Sequence, residues 1–295
     1  MSRRTEAPAP RERFVDVPGG WVWTGTYGSA RAVPLLVLHG GPGMPSYYLE
    51  TLTRLADERP VILFDQLGCG RSDRPADASL WTVERAVAEV EAVRTALGHD
   101  RVHLLGHSWG GFLALAYARA HPDALASAVL ASPLVSVPGW MAHADSLVEQ
   151  LPEEHVRAIR LHEEAGSFGH PAYQKATDAF YRRHLCSLDP WPPELVRTFD
   201  EMAEPVYHAL WGPSEFTQTG SLRGADLTPV LDALSVPSLW LAGSMDESPP
   251  ARLMDYAKRA HGSAVVFEGG THCVHLEQPD SYLDNVRRFL GQQDL

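Results

Sequence analysis

Six short apolar runs constrain what this chain can fold into more than any other feature. They are Val33 to Leu38, Val61 to Phe64, Val102 to Leu105, Val129 to Leu130, Ser238 to Ala242 and Val265 to Phe267, each followed closely by Gly, Asp, Ser, Glu or His. Helical patterns come next in each case, and that alternation predicts an α/β chain with a mostly parallel central sheet. Both alternating sets of positions are apolar, so these strands are expected to be buried on both faces between layers of helices. Ahead of them, Trp21 to Tyr27 alternates bulky and small residues and predicts antiparallel edge strands.

Between Leu134 and about Asp226 the texture changes. No strand-like run occurs there, and apolar residues such as Val156, Ile159 and Leu161 recur at helical spacing in a polar background. Pro190, Pro192 and Pro193 break the segment into several short helices. The reading is a sheet core over residues 1–134, an inserted helical cap over 135–228, and the rest of the core over 229–295. At 295 residues, a single core is large enough to carry such an insertion.

Charge and cysteine content narrow the function. With 25 basic and 37 acidic side chains the formal charge is −12, which repels phosphate backbones and anionic lipid, so no nucleic-acid partner and no membrane partner are expected. The three cysteines, Cys69, Cys186 and Cys273, are far apart and form no CxxC pair, which argues against a disulfide framework or a structural metal. Arg3-Arg4 invites a secretion reading, but no apolar h-region follows, and no run of about 18 apolar residues exists anywhere. A soluble, cytoplasmic protein is expected; its oligomeric state is left open.

The sharpest chemical signal is Gly106-His107-Ser108-Trp109-Gly110, a G-x-S-x-G match between a strand and the helical run Gly111 to Ala120. A bare match is weak; the strand-turn-helix setting gives it force, because there the serine hydroxyl projects above the strand ends. Serine needs a base, and an acid to orient it, in the chain order Ser, Asp, His. Asp246 follows the Ser238 strand and His272 follows the Val265 strand. The competing readings are a capping role for Asp246, a merely buried His272, and His275 as the base; Ser108, Asp246 and His272 are preferred. His39-Gly40-Gly41-Pro42-Gly43 supplies an oxyanion loop, in which Gly41 N–H, or failing it Gly40 N–H, would join Trp109 N–H. One such donor typically contributes about 3 kcal/mol to the transition state. His39 and His107 are read as shaping loops, and Asp65 and Arg71 as a structural pair.

With these residues in place, the chain resembles the proline iminopeptidase branch of the α/β-hydrolases, including the tricorn-interacting aminopeptidase type. The likeness rests on His39-Gly40-Gly41-Pro42-Gly43, on Asp65-Gln66-Leu67-Gly68-Cys69-Gly70-Arg71-Ser72, on Gly106 through Gly111, and on Trp211-Gly212-Pro213-Ser214-Glu215-Phe216. The resemblance implies an α/β-hydrolase fold with an inserted helical cap, and a serine aminopeptidase working without metal or cofactor. It further implies that Glu215 and Glu247 grip the free amine of a short peptide or amino-acid amide. Without the resemblance, the preferred reading is that Glu215 caps a helix and Glu247 is a solvated acid. An α-ammonium is largely charged at neutral pH, and at about 4 Å an ion pair is worth about 4 kcal/mol at an effective dielectric near 20. Trp109, Trp211, Phe216 and Tyr207 are candidates for an apolar pocket around a proline ring. Cys273, next to the base, offers thiol reagents a route to obstruct the site. Two alternatives stand beside the peptidase: an amide, ester or tailoring hydrolase on an aminoacylated small molecule, and a catalytically silent ligand-binding protein.

Overall fold

The computed structural model describes residues 9–294; Arg3-Arg4 lies outside them. Strands β1 (Arg11–Val17), β2 (Gly20–Tyr27), β3 (Leu35–Leu38), β4 (Val61–Phe64), β5 (Val102–His107), β6 (Leu125–Ala131), β7 (Ser238–Gly243) and β8 (Ser263–Phe267) form one sheet in the order β1-β2-β4-β3-β5-β6-β7-β8. Pairing is antiparallel at β1/β2 and β2/β4 and parallel from β4 through β8.

The doubly apolar runs explain the layering. Leu36, Leu38, Ile62, Phe64 and Leu104 point into a core shared with helices α1 (Val83–Ala96) and α2 (Trp109–Ala120). Leu35, Val37, Val61, Leu63 and Leu105, the alternate positions, point the other way, against the 3₁₀ segment Ser46–Asp57 and a C-terminal helix, Pro279–Gln293. Burial of both sets is what a helix-covered parallel sheet requires.

The segment between β6 and β7 has helices as its regular elements, α3 (Val137–Val148), α4 (Glu153–Ala165), α5 (Pro171–His184), α6 (Pro193–Asp200) and α7 (Glu204–Leu210), followed by an irregular loop and a 3₁₀ turn, Thr228–Ala233. Leu147, Val148, Leu151, Ile159, Ala176 and Phe180 give it a small core of its own. It leaves and rejoins the sheet at one seam, where Ser136 bridges Asp226, Val137 N–H donates to Ala225 O at 2.9 Å and Leu227 N–H donates to Val135 O at 2.9 Å. After β7 come α8 (Pro250–Arg259), α9 (Val274–Glu277) and α10, the C-terminal helix just described.

Four expectations need correction. β2 is antiparallel, as expected, but it is not the sheet edge, because β1 pairs outside it; β1 has a charged sequence in which only Val15 and Val17 are buried, and it carries no doubly apolar run. β8 is an edge strand, with Val266 37% exposed, so it is not buried on both faces. Leu161 is 62% exposed although Ile159 is fully buried, since two residues along a helix is a turn of about 200°. The fourth correction concerns the aromatic pocket and is described with the site.

Candidate active site

Ser108 sits between β5 and α2 with φ 57° and ψ −120°, a conformation that costs a non-glycine residue of order 1–3 kcal/mol. The flanking glycines make the turn possible. A Cβ on Gly106 would lie 2.1 Å from Gly110 O, and one on Gly110 would lie 2.2 Å from Leu38 O. The motif therefore records close backbone contacts that lift the serine side chain toward a cavity at the carboxyl ends of the strands.

His272 follows β8, and its Nδ1 donates to Asp246 Oδ1 at 2.7 Å, both residues being buried. Asp246 also accepts from Ser132 Oγ at 2.6 Å, from Ser248 N–H at 2.8 Å and from Gly243 N–H at 3.2 Å. A carboxylate so fully engaged is fixed in place and holds one His272 tautomer, leaving Nε2 free toward the cavity. Asp246 is not the cap of α8, whose first residue follows Pro249. Among the described residues Ser108 Oγ and His272 Nε2 form no hydrogen bond; both line the cavity, and in empty sites this bond is often long. His275 does not compete, because its Nε2 donates to Tyr48 O at 3.1 Å inside the core.

The other two histidines shape loops. His39 Nε2 accepts from Gln66 N–H at 2.8 Å, and burial, only partly offset by Asp65, lowers its pKa to about 4. His107 Nε2 donates to His272 O at 3.0 Å, so its Nδ1 accepts from the Tyr48 hydroxyl at 2.9 Å, which itself accepts from Gly40 N–H at 2.9 Å. Gly40 N–H is thereby occupied. Gly41 N–H has no acceptor among the described residues, and neither has Trp109 N–H, the first of α2, where helix geometry leaves donors free.

Glu215 comes from the loop after α7 and Glu247 from the loop after β7, and the cavity brings them together with Ser108 and His272. Glu247 is 3% exposed; its Oε1 lies 3.7 Å from His272 Nε2, and its Oε2 is buried with no hydrogen-bond partner among the described residues. Tyr207 donates its hydroxyl to Glu215 Oε2 at 3.3 Å. Burial raises the pKa of both acids, and Glu215 raises that of Glu247 further. Burial works to lower the His272 pKa, but Asp246, Glu247 and Glu215 outweigh it and raise it to about 9. Two desolvated, under-paired carboxylates facing a cavity form a site for a cation.

The cavity holds about 370 Å³. Tyr207 and Trp211 line it as expected, but Trp109 and Phe216 do not. Trp109 stacks on Phe112 and donates its Nε1 to Gln66 behind the site, while Phe216 packs edge-on against Phe180 in the helical segment's own core. Trp140, which stands edge-on to His272, and Tyr181 take part in their place. Cys273 is buried beside His272, and burial pushes its thiol well up from its ordinary pKa.

Ser132 and Glu163 escaped sequence reasoning. Ser132, at φ 46°, holds Asp246 through its hydroxyl; a lone serine after a strand carries no such signal. Glu163 of α4 accepts from Ser214 Oγ at 2.8 Å and also from Tyr173 and Thr217, fastening the loop that presents Glu215. The Asp65–Arg71 pair forms as expected at 2.7 Å, with Asp65 also accepting from Ser46 N–H and Oγ.

A family model described as the alpha/beta hydrolase fold matches residues 33–279. A proline iminopeptidase of Heyndrickxia coagulans is 38% identical over 288 residues, 95% of this chain and 98% of that protein. A proline iminopeptidase of Thermoplasma volcanium is 38% identical over 260 residues, 87% of this chain and 88% of that protein. Among solved structures, proline iminopeptidase of Mycobacterium smegmatis superposes with a TM-score of 0.89 at 37% identity, covering 96% of this chain and 98% of that one. VinJ superposes with a TM-score of 0.93 at 30% identity, covering 97% and 100%.

Proposed function

The chain belongs to the proline iminopeptidase family of the α/β-hydrolase fold, and on that premise we propose that it is a serine aminopeptidase releasing an N-terminal residue, proline preferred, from short peptides through an acyl-enzyme. One observation carries the substrate assignment: the buried, unpaired Glu247 carboxylate oxygen, in a cavity that also holds Glu215. A free α-ammonium satisfies both acids. An N-acylated or mid-chain residue would leave them desolvated and unpaired, so the selection works by penalty as well as by attraction.

In this reading the amine places the first carbonyl over Ser108. His272 Nε2 takes the hydroxyl proton as Oγ bonds to the carbonyl carbon, and Gly41 and Trp109 N–H groups hold the oxyanion. His272 then gives that proton to the leaving nitrogen as the C–N bond breaks. Water, deprotonated by His272, attacks the ester, and Ser108 departs with the proton returned. Asp246 orients His272 throughout and stabilises its charged form. Residues 135–228 act as a cap that supplies half of the amine site, and the enzyme is assigned to the cytoplasm.

The test compares prolyl-β-naphthylamide with its N-acetylated form. Turnover of the first only, abolished by Ser108→Ala, is the expected result; equal turnover of both would remove the amine-anchor assignment.

A further inference from the structure

A second depression adjoins the active-site cavity, and Met202 and Glu204 line both. Its other walls include Gly68, Trp81, Val206 and Arg74. Among the described lysines and arginines, Arg74 alone lines either space. Its guanidinium has no carboxylate within salt-bridge distance among the described residues and reaches only the main-chain oxygens of Gly70 and Glu201, both at 3.4 Å.

The order of these groups follows helix α7. Tyr207 holds Glu215 at the amine end, and Glu204, one turn back, forms the lip, a rise of about 4.5 Å for three residues. Just before the helix, Ala203 N–H donates to Gly43 O at 2.9 Å, so the lip rests on the loop of residues 39–43. An extended chain advances about 3.4 Å per residue. A dipeptide anchored by its amine would therefore bring its carboxylate into a cavity walled by Glu204, Glu215 and Glu247. A longer peptide carries it past Glu204 toward Arg74.

We propose that the depression beyond Glu204 is a leaving-group subsite in which Arg74 receives the free carboxylate of a tripeptide or somewhat longer peptide. The enzyme then reads its substrate by charge at both ends, acids inside for the amine and a cation outside for the carboxylate. This rests on the aminopeptidase reading above and narrows its substrate class.

The experiment measures kcat/KM for Pro-Gly, Pro-Gly-Gly, Pro-Gly-Gly-amide and prolyl-β-naphthylamide with the wild type, Arg74→Gln and Arg74→Glu. Pairing of an exposed arginine with a carboxylate predicts a three- to fivefold preference, roughly, for the tripeptide acid over its amide, carried in KM and reduced by salt. Arg74→Gln abolishes that preference, Arg74→Glu reverses it, and Pro-Gly remains the poorest peptide. Turnover of the naphthylamide is unchanged across the three proteins, since its leaving group carries no charge. An acid-to-amide ratio that Arg74→Gln leaves unaltered overturns the subsite. Failure of the wild type to cleave the naphthylamide overturns the peptidase reading, and the subsite with it.

Discussion

The Tyr48 hydroxyl donates to His107 Nδ1 at 2.9 Å while accepting Gly40 N–H, and His107 passes the connection on to the His272 carbonyl. One buried chain of hydrogen bonds thus joins the Gly40 loop to the loop that carries His272. His107 stays neutral within it, because burial and the neighbouring histidines hold its pKa well below the ordinary value.

Tyr48→Phe removes the central link and leaves Gly40 N–H and His107 Nδ1 unpaired. We expect kcat to fall about tenfold to a hundredfold with KM little changed, the pattern of an interaction that counts mainly in the transition state. A boronate transition-state analogue should lose affinity by the same factor while a simple amine competitor binds as before. Equal losses for both ligands would mark the change as general loosening.

The pH dependence has a definite sign. With the His272 pKa raised to about 9, the free enzyme's base is mostly protonated at neutral pH, so kcat/KM should climb through an acid limb well above the usual histidine range near 6.5. Glu247→Gln removes one of the raising carboxylates, and the limb should move down by roughly one unit. At pH 7 a neutral ester should then be cleaved faster by the variant than by the wild type, although free amines bind it less well. An acid limb that does not move would show that Glu247 leaves the base untouched.

Glu215→Gln should cost free-amine substrates roughly 2 kcal/mol in kcat/KM, about thirtyfold, and spare a neutral ester. Steady-state kinetics on the matched pair decides it.

Away from the chemistry, Arg71→Leu strands the fully buried Asp65 carboxylate and should lower stability by about 3 kcal/mol. Burial raises the Asp65 pKa, but the Arg71 interactions outweigh it and set it below its ordinary value. Its contribution is therefore present above the ordinary carboxylate range and is lost as pH falls through the depressed value. Denaturant unfolding at pH 7 and pH 3 should show a wild-type advantage that shrinks on acidification.

Leu161→Glu should change stability by less than about 0.5 kcal/mol, since the side chain already stands in solvent. Thermal unfolding beside Ile159→Ala, which empties a fully buried position, gives the contrast.

Features with a local cause were the legible ones. The doubly apolar runs announced the sheet because burial on both faces leaves no room for alternation, and G-x-S-x-G announced the tight turn at Ser108 because side chains at Gly106 and Gly110 would run into Gly110 O and Leu38 O. The polar scaffold was invisible for the opposite reason. Ser132 reaches Asp246 across 114 positions and Glu163 reaches Ser214 across 51, and no spacing rule marks such partners. The aromatic pocket was half right because a tryptophan beside the nucleophile can face the cavity or the core, and only the register of α2 turns Trp109 inward against Phe112. β1 was missed because an edge strand with one wet face lacks the apolar continuity that betrays its neighbours.

The seam at Ser136 and Asp226 has an evolutionary consequence. To the sheet, everything between those two residues behaves as one tight connection whose ends are already clasped, so its length and content can change with little cost to the strands on either side. Such an arrangement lets a lineage exchange the whole helical segment while the sheet and its loops stay as they are, so that inserts can be tried as interchangeable parts.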